Sequence, residues 1–177
     1  MSISLKTRPA RAAALIAGLL LAAQAAAAPS LPPATDLGRD GRTALARGVP
    51  IVILFSLPDC TYCAVVRRNY LVPLAQEGDP RSRPLVRELE LNASAPLRGF
   101  GNEATSGKAL AERYQIKVAP TVVMLDSDGN LAAPPLAGGD VSGMYGAYLD
   151  AALVEARSAV DTARGKKKNG TNRRIHD

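Results

Sequence analysis

The chain contains two cysteines, spaced as Cys60-Thr-Tyr-Cys63. A continuous apolar run at residues 49–55 precedes them, and an apolar stripe with helical spacing follows. A thiol at the start of a helix faces unpaired backbone N–H groups and the positive end of the helix dipole, which favour the thiolate. We therefore expect Cys60 to attack a disulfide, and Cys63, one helical turn later, to release the product by attacking the mixed disulfide.

Other roles for the cysteine pair are less well supported by the rest of the chain. A zinc site needs about four ligands, and the only histidine is His176, close to the C-terminal end. We therefore expect no metal and no cofactor, and a Cys–His hydrolase dyad is disfavoured for the same reason. A purely structural disulfide across so short a loop would stabilise little. It remains an alternative, in which the protein is a non-catalytic binding or chaperone module.

The hydrophobic pattern predicts an α/β domain of alternating strands and helices. We predict strands at 49–55, 85–91 and 121–125, a hairpin partner from residue 131 onward, and helices at 40–47, 60–76, 107–114 and 141–163. Pro73 is expected to kink or end the second helix, because proline lacks the backbone N–H that a helix interior needs.

The N-terminal segment has the pattern of a secretory signal peptide, predicted at residues 1–28. Lys6, Arg8 and Arg11 precede an apolar stretch at 12–23, and an alanine run follows in which we expect cleavage between Ala25 and Ala28. The stretch is shorter than the roughly 20 residues that a membrane-spanning helix requires, although an uncleaved anchor is the alternative. In a bacterium this signal predicts export to the periplasm, where disulfides persist.

The remaining boundaries follow from composition and charge. Residues 29–38 are proline-rich and predicted to be an extended, unpacked linker; 39–163 form the domain; 164–177 form a basic, disordered tail. The formal net charge of +6 lies at the two ends, because residues 29–163 hold 13 basic and 15 acidic residues. We therefore expect no nucleic-acid partner. The tail is interpreted as a solvated segment, with attraction to an anionic surface as the alternative.

Two segments, IVILFSLPDCTYC at 51–63 and VAPTVVMLDSDG at 118–129, resemble exported bacterial thioredoxin-fold proteins. The resemblance covers about residues 40–160 and implies a thioredoxin-like fold: a central mixed β-sheet flanked by helices, with a short inserted loop at about 92–106 before the cis-proline strand. It further implies that Pro120 is cis and lies against the disulfide, and that the backbone of Ala119 pairs with the substrate chain. Thr61 and Tyr62 complete the expected substrate-binding set.

Differences from thioredoxin itself indicate which subgroup of the fold the chain resembles. Asp59 stands where a tryptophan usually precedes the first cysteine, Leu54 falls near the position of a buried aspartate, and Thr61-Tyr62 replaces Gly-Pro. The closest resemblance is to the periplasmic SoxW and TlpA groups. It implies a monomeric thiol-disulfide oxidoreductase that reduces disulfides of partner proteins and receives electrons from a membrane donor of the DsbD or CcdA kind. A disulfide donor or isomerase is the alternative.

Glu88 is a further candidate. It lies on the predicted strand 85–91, where thioredoxin carries a lysine near its active site. A carboxylate at this position is hypothesised to accept the proton when Cys63 is deprotonated. The alternative is a solvated strand charge without a role in the chemistry.

Overall fold

The computed structural model describes residues 30–173, with the backbone alone for 168–173. The predicted signal peptide therefore lies outside the described residues. In chain order the elements are α1 (Leu37–Arg47), β1 (Ile51–Ser56), α2 (Thr61–Val66), a π-helical turn (Arg67–Leu71), α3 (Val72–Gln76), β2 (Leu85–Glu90), β3 (Leu97–Arg98), β4 (Ala104–Thr105), α4 (Gly107–Arg113), β5 (Thr121–Leu125), β6 (Leu136–Ala137) and α5 (Tyr145–Arg173).

A four-stranded mixed sheet lies at the centre of the domain, in the order β2-β1-β5-β6. β1 runs parallel to β2 and antiparallel to β5, and β6 runs antiparallel to β5. This arrangement, flanked by helices, confirms the predicted α/β fold. The inserted loop before β5 contains a small hairpin of its own, β3 with β4.

Every residue of β1 is buried, because helices cover both faces of the sheet. Alternate side chains point to opposite faces, so the apolar run supplies two cores at once. Val52 and Leu54 face a cluster with the helical segment after Cys60 and with α5, whereas Ile53 and Phe55 face a cluster with α1 and α4. The continuous run in the sequence is thus explained by burial on both sides.

An N-terminal arm, residues 31–34, packs along the outer edge of β2. The backbone N–H of Glu88 donates to the carbonyl of Pro32 (3.0 Å), and the N–H of Ala34 donates to the carbonyl of Glu88 (2.9 Å). Leu31 is buried in the core. The prediction of an unpacked linker at 29–38 is therefore wrong for this arm, because an extended proline-containing chain can still pair with a sheet edge.

The first helix also begins within the predicted linker. Its N-cap is Asp36, whose side chain accepts from the backbone N–H of Arg39 at 2.7 Å, and its first residue is Leu37. This cap satisfies one of the N–H groups that a helix start leaves unpaired, so the helix begins three residues before the predicted start at Asp40.

Pro73 neither ends the second predicted helix nor leaves it regular. The chain widens into a π-helical turn before it, where the N–H of Val72 donates to the carbonyl of Arg67, and the helical segment continues to Gln76. Proline lacks an N–H and would clash with the carbonyl four residues earlier in a regular α-helix. The wider turn removes that conflict, which the apolar stripe alone did not indicate.

The last helix extends further than predicted, since α5 continues to Arg173. The prediction of disorder from residue 164 is therefore wrong as far as 173, and residues 174–177 lie outside the described part. Lys167 forms an ion pair with Asp128 at 2.7 Å, and Arg164 donates to the carbonyl of Ala46 near the end of α1. Lysine and arginine are good helix formers and are favoured near a helix C-terminus. Between residues 30 and 173, no helix has the length and apolarity needed to cross a membrane.

Candidate redox site

The two cysteines form a disulfide at the start of α2. Cys60 is the N-cap residue, and its Sγ accepts a hydrogen bond from the backbone N–H of Cys63 at 3.1 Å. Cys63 is fully buried, whereas Cys60 is partly exposed. A partner can therefore approach the sulfur of Cys60, while that of Cys63 is reached only from within the pair. The predicted order of attack requires this difference in exposure, and the order itself stays a prediction.

Asp59 occupies the left-handed backbone region, with φ of 54°. Aspartate and asparagine tolerate this region better than most residues. The residue thus turns the chain from the end of β1 into the first turn of α2. The position where a tryptophan usually stands in thioredoxin is here a turn residue.

Pro120 lies at the same end of the sheet as the cysteines. The Ala119–Pro120 peptide is cis, as the resemblance implies. Because Thr121 pairs with Phe55 in the sheet, Pro120 lies next to the end of β1, from which the loop to Cys60 departs. The carbonyl of Pro120 accepts from the N–H of Gly138 at 2.8 Å. The structure thus brings this loop and the loop with the cysteines to the same end of the sheet. The substrate contact of Ala119 stays a prediction.

Thr61 and Tyr62, between the cysteines, are both exposed to solvent. Tyr62 is 58% exposed, and one side of it packs closely against Gly139. A methyl group added to the Cα of Gly139 would lie only 3.0 Å from the Cβ of Tyr62. Both residues are thus accessible to a partner chain, although their role in binding it stays a prediction.

Glu88 lines a groove of about 660 Å³ that also contains Cys60. Arg67, the first residue of the π-helical turn, donates two hydrogen bonds to its carboxylate, at 2.7 and 2.5 Å. These bonds raise the pKa of the Arg67 guanidinium further. The interpretation of Glu88 as a freely solvated charge is therefore wrong, since it is a partly buried, paired carboxylate. Whether it accepts a proton stays a prediction.

Sequence reasoning missed two sets of polar residues near the cysteine pair. Arg67 was not singled out, although Pro73 in an otherwise helical stripe is a signal for an irregular turn. A cluster of Tyr70, Asp140 and Tyr145 was also missed, because its members come from distant parts of the chain. The hydroxyl of Tyr70 donates to Asp140 Oδ2, and the rings of Tyr70 and Tyr145 lie 5.0 Å apart.

Three tyrosines should ionise late in an alkaline titration. The pKa of Tyr70 is raised by its hydrogen bond to Asp140, and the pKa values of Tyr114 and Tyr145 are raised by burial. The folded chain thus holds these protons more tightly than the unfolded chain. Their contribution to stability is complete below about pH 10 and is lost as the pH rises above it.

The chain has five tyrosines and no tryptophan, so tyrosinate absorbance reports on them directly. We expect a titration in two phases for the folded protein, with a smaller late phase in Tyr145→Phe. The same protein in denaturant is the control and should titrate in one phase near pH 10. A single phase in the folded protein would contradict this prediction.

Among residues 30–173, no three His, Cys, Asp or Glu side chains converge in a way that could hold a metal ion.

Comparison with known proteins defines the class of this fold and site. The model of the thioredoxin-like domain family matches residues 37–152, and the chain belongs to this family. A search of curated proteins gave no match.

The solved structures that match the chain have low sequence identity to it and TM-scores below 0.5. A thioredoxin from Thermus thermophilus is 18% identical, with 72% of this chain and 91% of that one covered and a TM-score of 0.49. A structure described as DsbH oxidoreductase is 15% identical, with 86% and 94% covered and a TM-score of 0.47. A thioredoxin-fold protein from Helicobacter pylori is 17% identical, with 67% and 86% covered and a TM-score of 0.43.

Proposed function

We propose that the protein is a periplasmic thiol-disulfide oxidoreductase that reduces disulfides in partner proteins. The observation that carries the proposal is the cysteine pair itself: a partly exposed Cys60 at a helix start, bonded to a buried Cys63. The loop that contains the cis-proline, Pro120, lies at the same end of the sheet as the two cysteines. A merely structural disulfide across three residues would stabilise little, and it would not need its first sulfur to be accessible.

The reaction begins with the reduced pair. The thiolate of Cys60 attacks one sulfur of the partner's disulfide, forms a mixed disulfide, and expels the other partner sulfur as a thiolate that takes up a proton. Cys63 then loses its proton and attacks the sulfur of Cys60, which releases the second partner thiolate. Two electrons and two protons pass to the partner, and Cys60–Cys63 is left as the disulfide. A reductant must restore the thiols.

Glu88 is proposed to take the proton from Cys63 in the second step. Its place in the groove beside Cys60 supports this role, and Arg67 holds its carboxylate in one orientation. Glu88→Gln keeps the shape and removes the basic carboxylate. Resolution of a preformed mixed disulfide should then slow by about a hundredfold, within the range that general base catalysis supplies.

The first step should be unchanged in Glu88→Gln, because Cys60 attacks without that proton transfer. The two steps are separated by stopped-flow mixing and acid quench. Glu90→Gln, which alters another carboxylate lining the same groove, is the matched control and should resolve at the parent rate. Equal resolution rates in Glu88→Gln and the parent protein would rule out the role.

The direction of electron flow is tested by the reduction potential of the Cys60–Cys63 pair. We propose equilibration with glutathione, read by an alkylation mass shift, since the chain has no tryptophan for fluorescence. A potential near about −270 mV supports a reductase, whereas one near about −120 mV would make the protein a disulfide donor instead.

The proposed location and electron supply rest on the sequence. The signal-peptide pattern at 1–28 supports export to the periplasm. A reductase there needs electrons from across the membrane, so we propose a donor of the DsbD or CcdA kind and membership of the SoxW- and TlpA-like subgroup. Deletion of such a donor should leave Cys60–Cys63 oxidised in cells, as alkylation of rapidly acidified samples would reveal.

A further inference from the structure

A second cavity lies on the other side of the site from the Cys60 groove. The Cys60 groove is at the β2 side of the sheet, whereas this cavity lies beside β6 and the start of α5. It has a volume of about 230 Å³. We call it the tyrosine cavity; the residues used below that line it are Gly139, Asp140, Val141, Tyr145 and Tyr148.

Two polar atoms of this cavity are buried without partners. Neither Oδ1 of Asp140 nor the hydroxyl oxygen of Tyr145 has a hydrogen-bond partner of normal geometry within the described chain. Tyr145 is only 6% exposed. A buried polar atom left unpaired is destabilising, and native proteins leave few of them. Both atoms therefore have hydrogen-bonding capacity that the described chain does not use, and both belong to residues that line the cavity.

The charge of the cavity indicates the chemistry of that partner. The hydrogen bond from Tyr70 lowers the pKa of Asp140, and the nearby backbone N–H groups of Tyr145 and Gly143 add to the effect, so the carboxylate is ionised at neutral pH. Within residues 30–167, no lysine or arginine forms an ion pair with it. The complementary group is a cation with N–H donors: an ammonium or a guanidinium.

The entrance of the cavity suits the rest of a basic side chain. Val141 and Tyr148 line the cavity and are strongly exposed. The methylene groups of a lysine or arginine can pack on such apolar surface while the charged end binds deeper. Gly139 also lines the cavity and contacts Tyr62, which lies between the two cysteines in sequence. The tyrosine cavity is therefore next to the redox site.

We infer that the tyrosine cavity binds a lysine or arginine side chain of the partner polypeptide whose disulfide Cys60 attacks. This inference rests on the proposed function and adds a preference among its substrates. The carboxylate of Asp140 would accept from the cationic group, and a small side-chain rotation that uncovers Oδ1 and the hydroxyl of Tyr145 would complete the hydrogen bonding. Partners with a basic residue close to their reactive cysteine would be reduced fastest.

The test compares two peptides that each contain one intramolecular disulfide and differ at one flanking residue, lysine or its uncharged analogue norleucine. The reduced protein is mixed with each peptide, and oxidation of Cys60–Cys63 is followed by alkylation. We expect the lysine peptide to react roughly tenfold faster, as a modest charge-pair contribution would give. Asp140→Asn, which can still accept from Tyr70, should abolish the preference.

Two further variants separate the cavity from general effects. Tyr145→Phe keeps the ring and removes the hydroxyl, and we expect it to weaken the preference. Asp150→Asn removes an exposed charge of the same helix outside the cavity and should keep it. Free lysine amide should slow the lysine peptide alone, because it competes for the cavity without carrying a disulfide.

The outcomes distinguish this inference from the proposed function. Equal rates for the two peptides would mean that an ordered water, and not a basic side chain, satisfies the polar atoms of the cavity. The inference would then be overturned, and the proposed thiol-disulfide exchange would be unaffected. A preference that survives Asp140→Asn, or that disappears in Asp150→Asn, would also overturn it. If neither peptide reacts, the proposed function itself fails.

Discussion

The Cys63→Ser variant is expected to accumulate as mixed disulfides through Cys60 when its reduced form meets a disulfide-containing protein. The partly exposed Cys60 can still attack, but no second sulfur is present to release the product. Cys60→Ser is expected to form no mixed disulfide, because the remaining sulfur, that of Cys63, is fully buried. Both variants should lose catalytic disulfide reduction down to the rate observed without protein.

The measurement is a non-reducing gel combined with an alkylation mass shift. The variant with serine at both positions is the control and should trap nothing. A Cys63→Ser protein that remains free, or equal trapping by the two single variants, would contradict the assignment of Cys60 as the attacking thiol. Full activity of the double variant in cells would show that the protein acts as a binding module instead.

Asp40→Ala is expected to lower the free energy of unfolding by about 3 kcal/mol, or roughly 10 °C in melting temperature. Asp40 on α1 is buried, and Arg87 on β2 donates to both of its oxygens, at 2.8 and 2.5 Å. Removing one partner leaves the guanidinium poorly solvated and without its carboxylate. Denaturant unfolding of the oxidised protein measures the change.

Asp128→Ala is the matched control, because it removes the same side chain from the exposed ion pair with Lys167. Exposed pairs contribute at most about 1 kcal/mol. Arg87→Met in the Asp40→Ala background should cost far less than Arg87→Met alone, since the interaction is already lost. Similar losses in Asp40→Ala and Asp128→Ala would show that burial of the pair does not matter.

Much of the scaffold follows from local patterns in the sequence. The strand Thr121–Leu125 is observed with the predicted bounds, and β1 differs from its prediction only at the ends. Runs of β-branched residues between turn residues are local signals, and so is the Cys60–Cys63 spacing at the start of a helix. These patterns predicted that the two cysteines lie together at the start of a helix, where the structure has them as a disulfide.

The parts that sequence reasoning missed depend on contacts between distant residues. The ion pair of Arg67 with Glu88 spans 21 positions, and the bond of Tyr70 to Asp140 spans 70. The N-terminal arm was missed because a proline-rich extended chain has the same pattern whether or not a sheet edge is available. The added length of α5 depends partly on contacts with the β5–β6 turn.

The N-terminal arm also bears on how two copies of this chain can associate. An open strand edge offers unpaired N–H and C=O groups to any other strand and invites aggregation. Here the arm already occupies part of the outer edge of β2, and its own Pro32 and Pro33 have no N–H with which to continue the sheet. Edge-to-edge fibre growth is thereby obstructed along this stretch, which also lines the groove at Cys60.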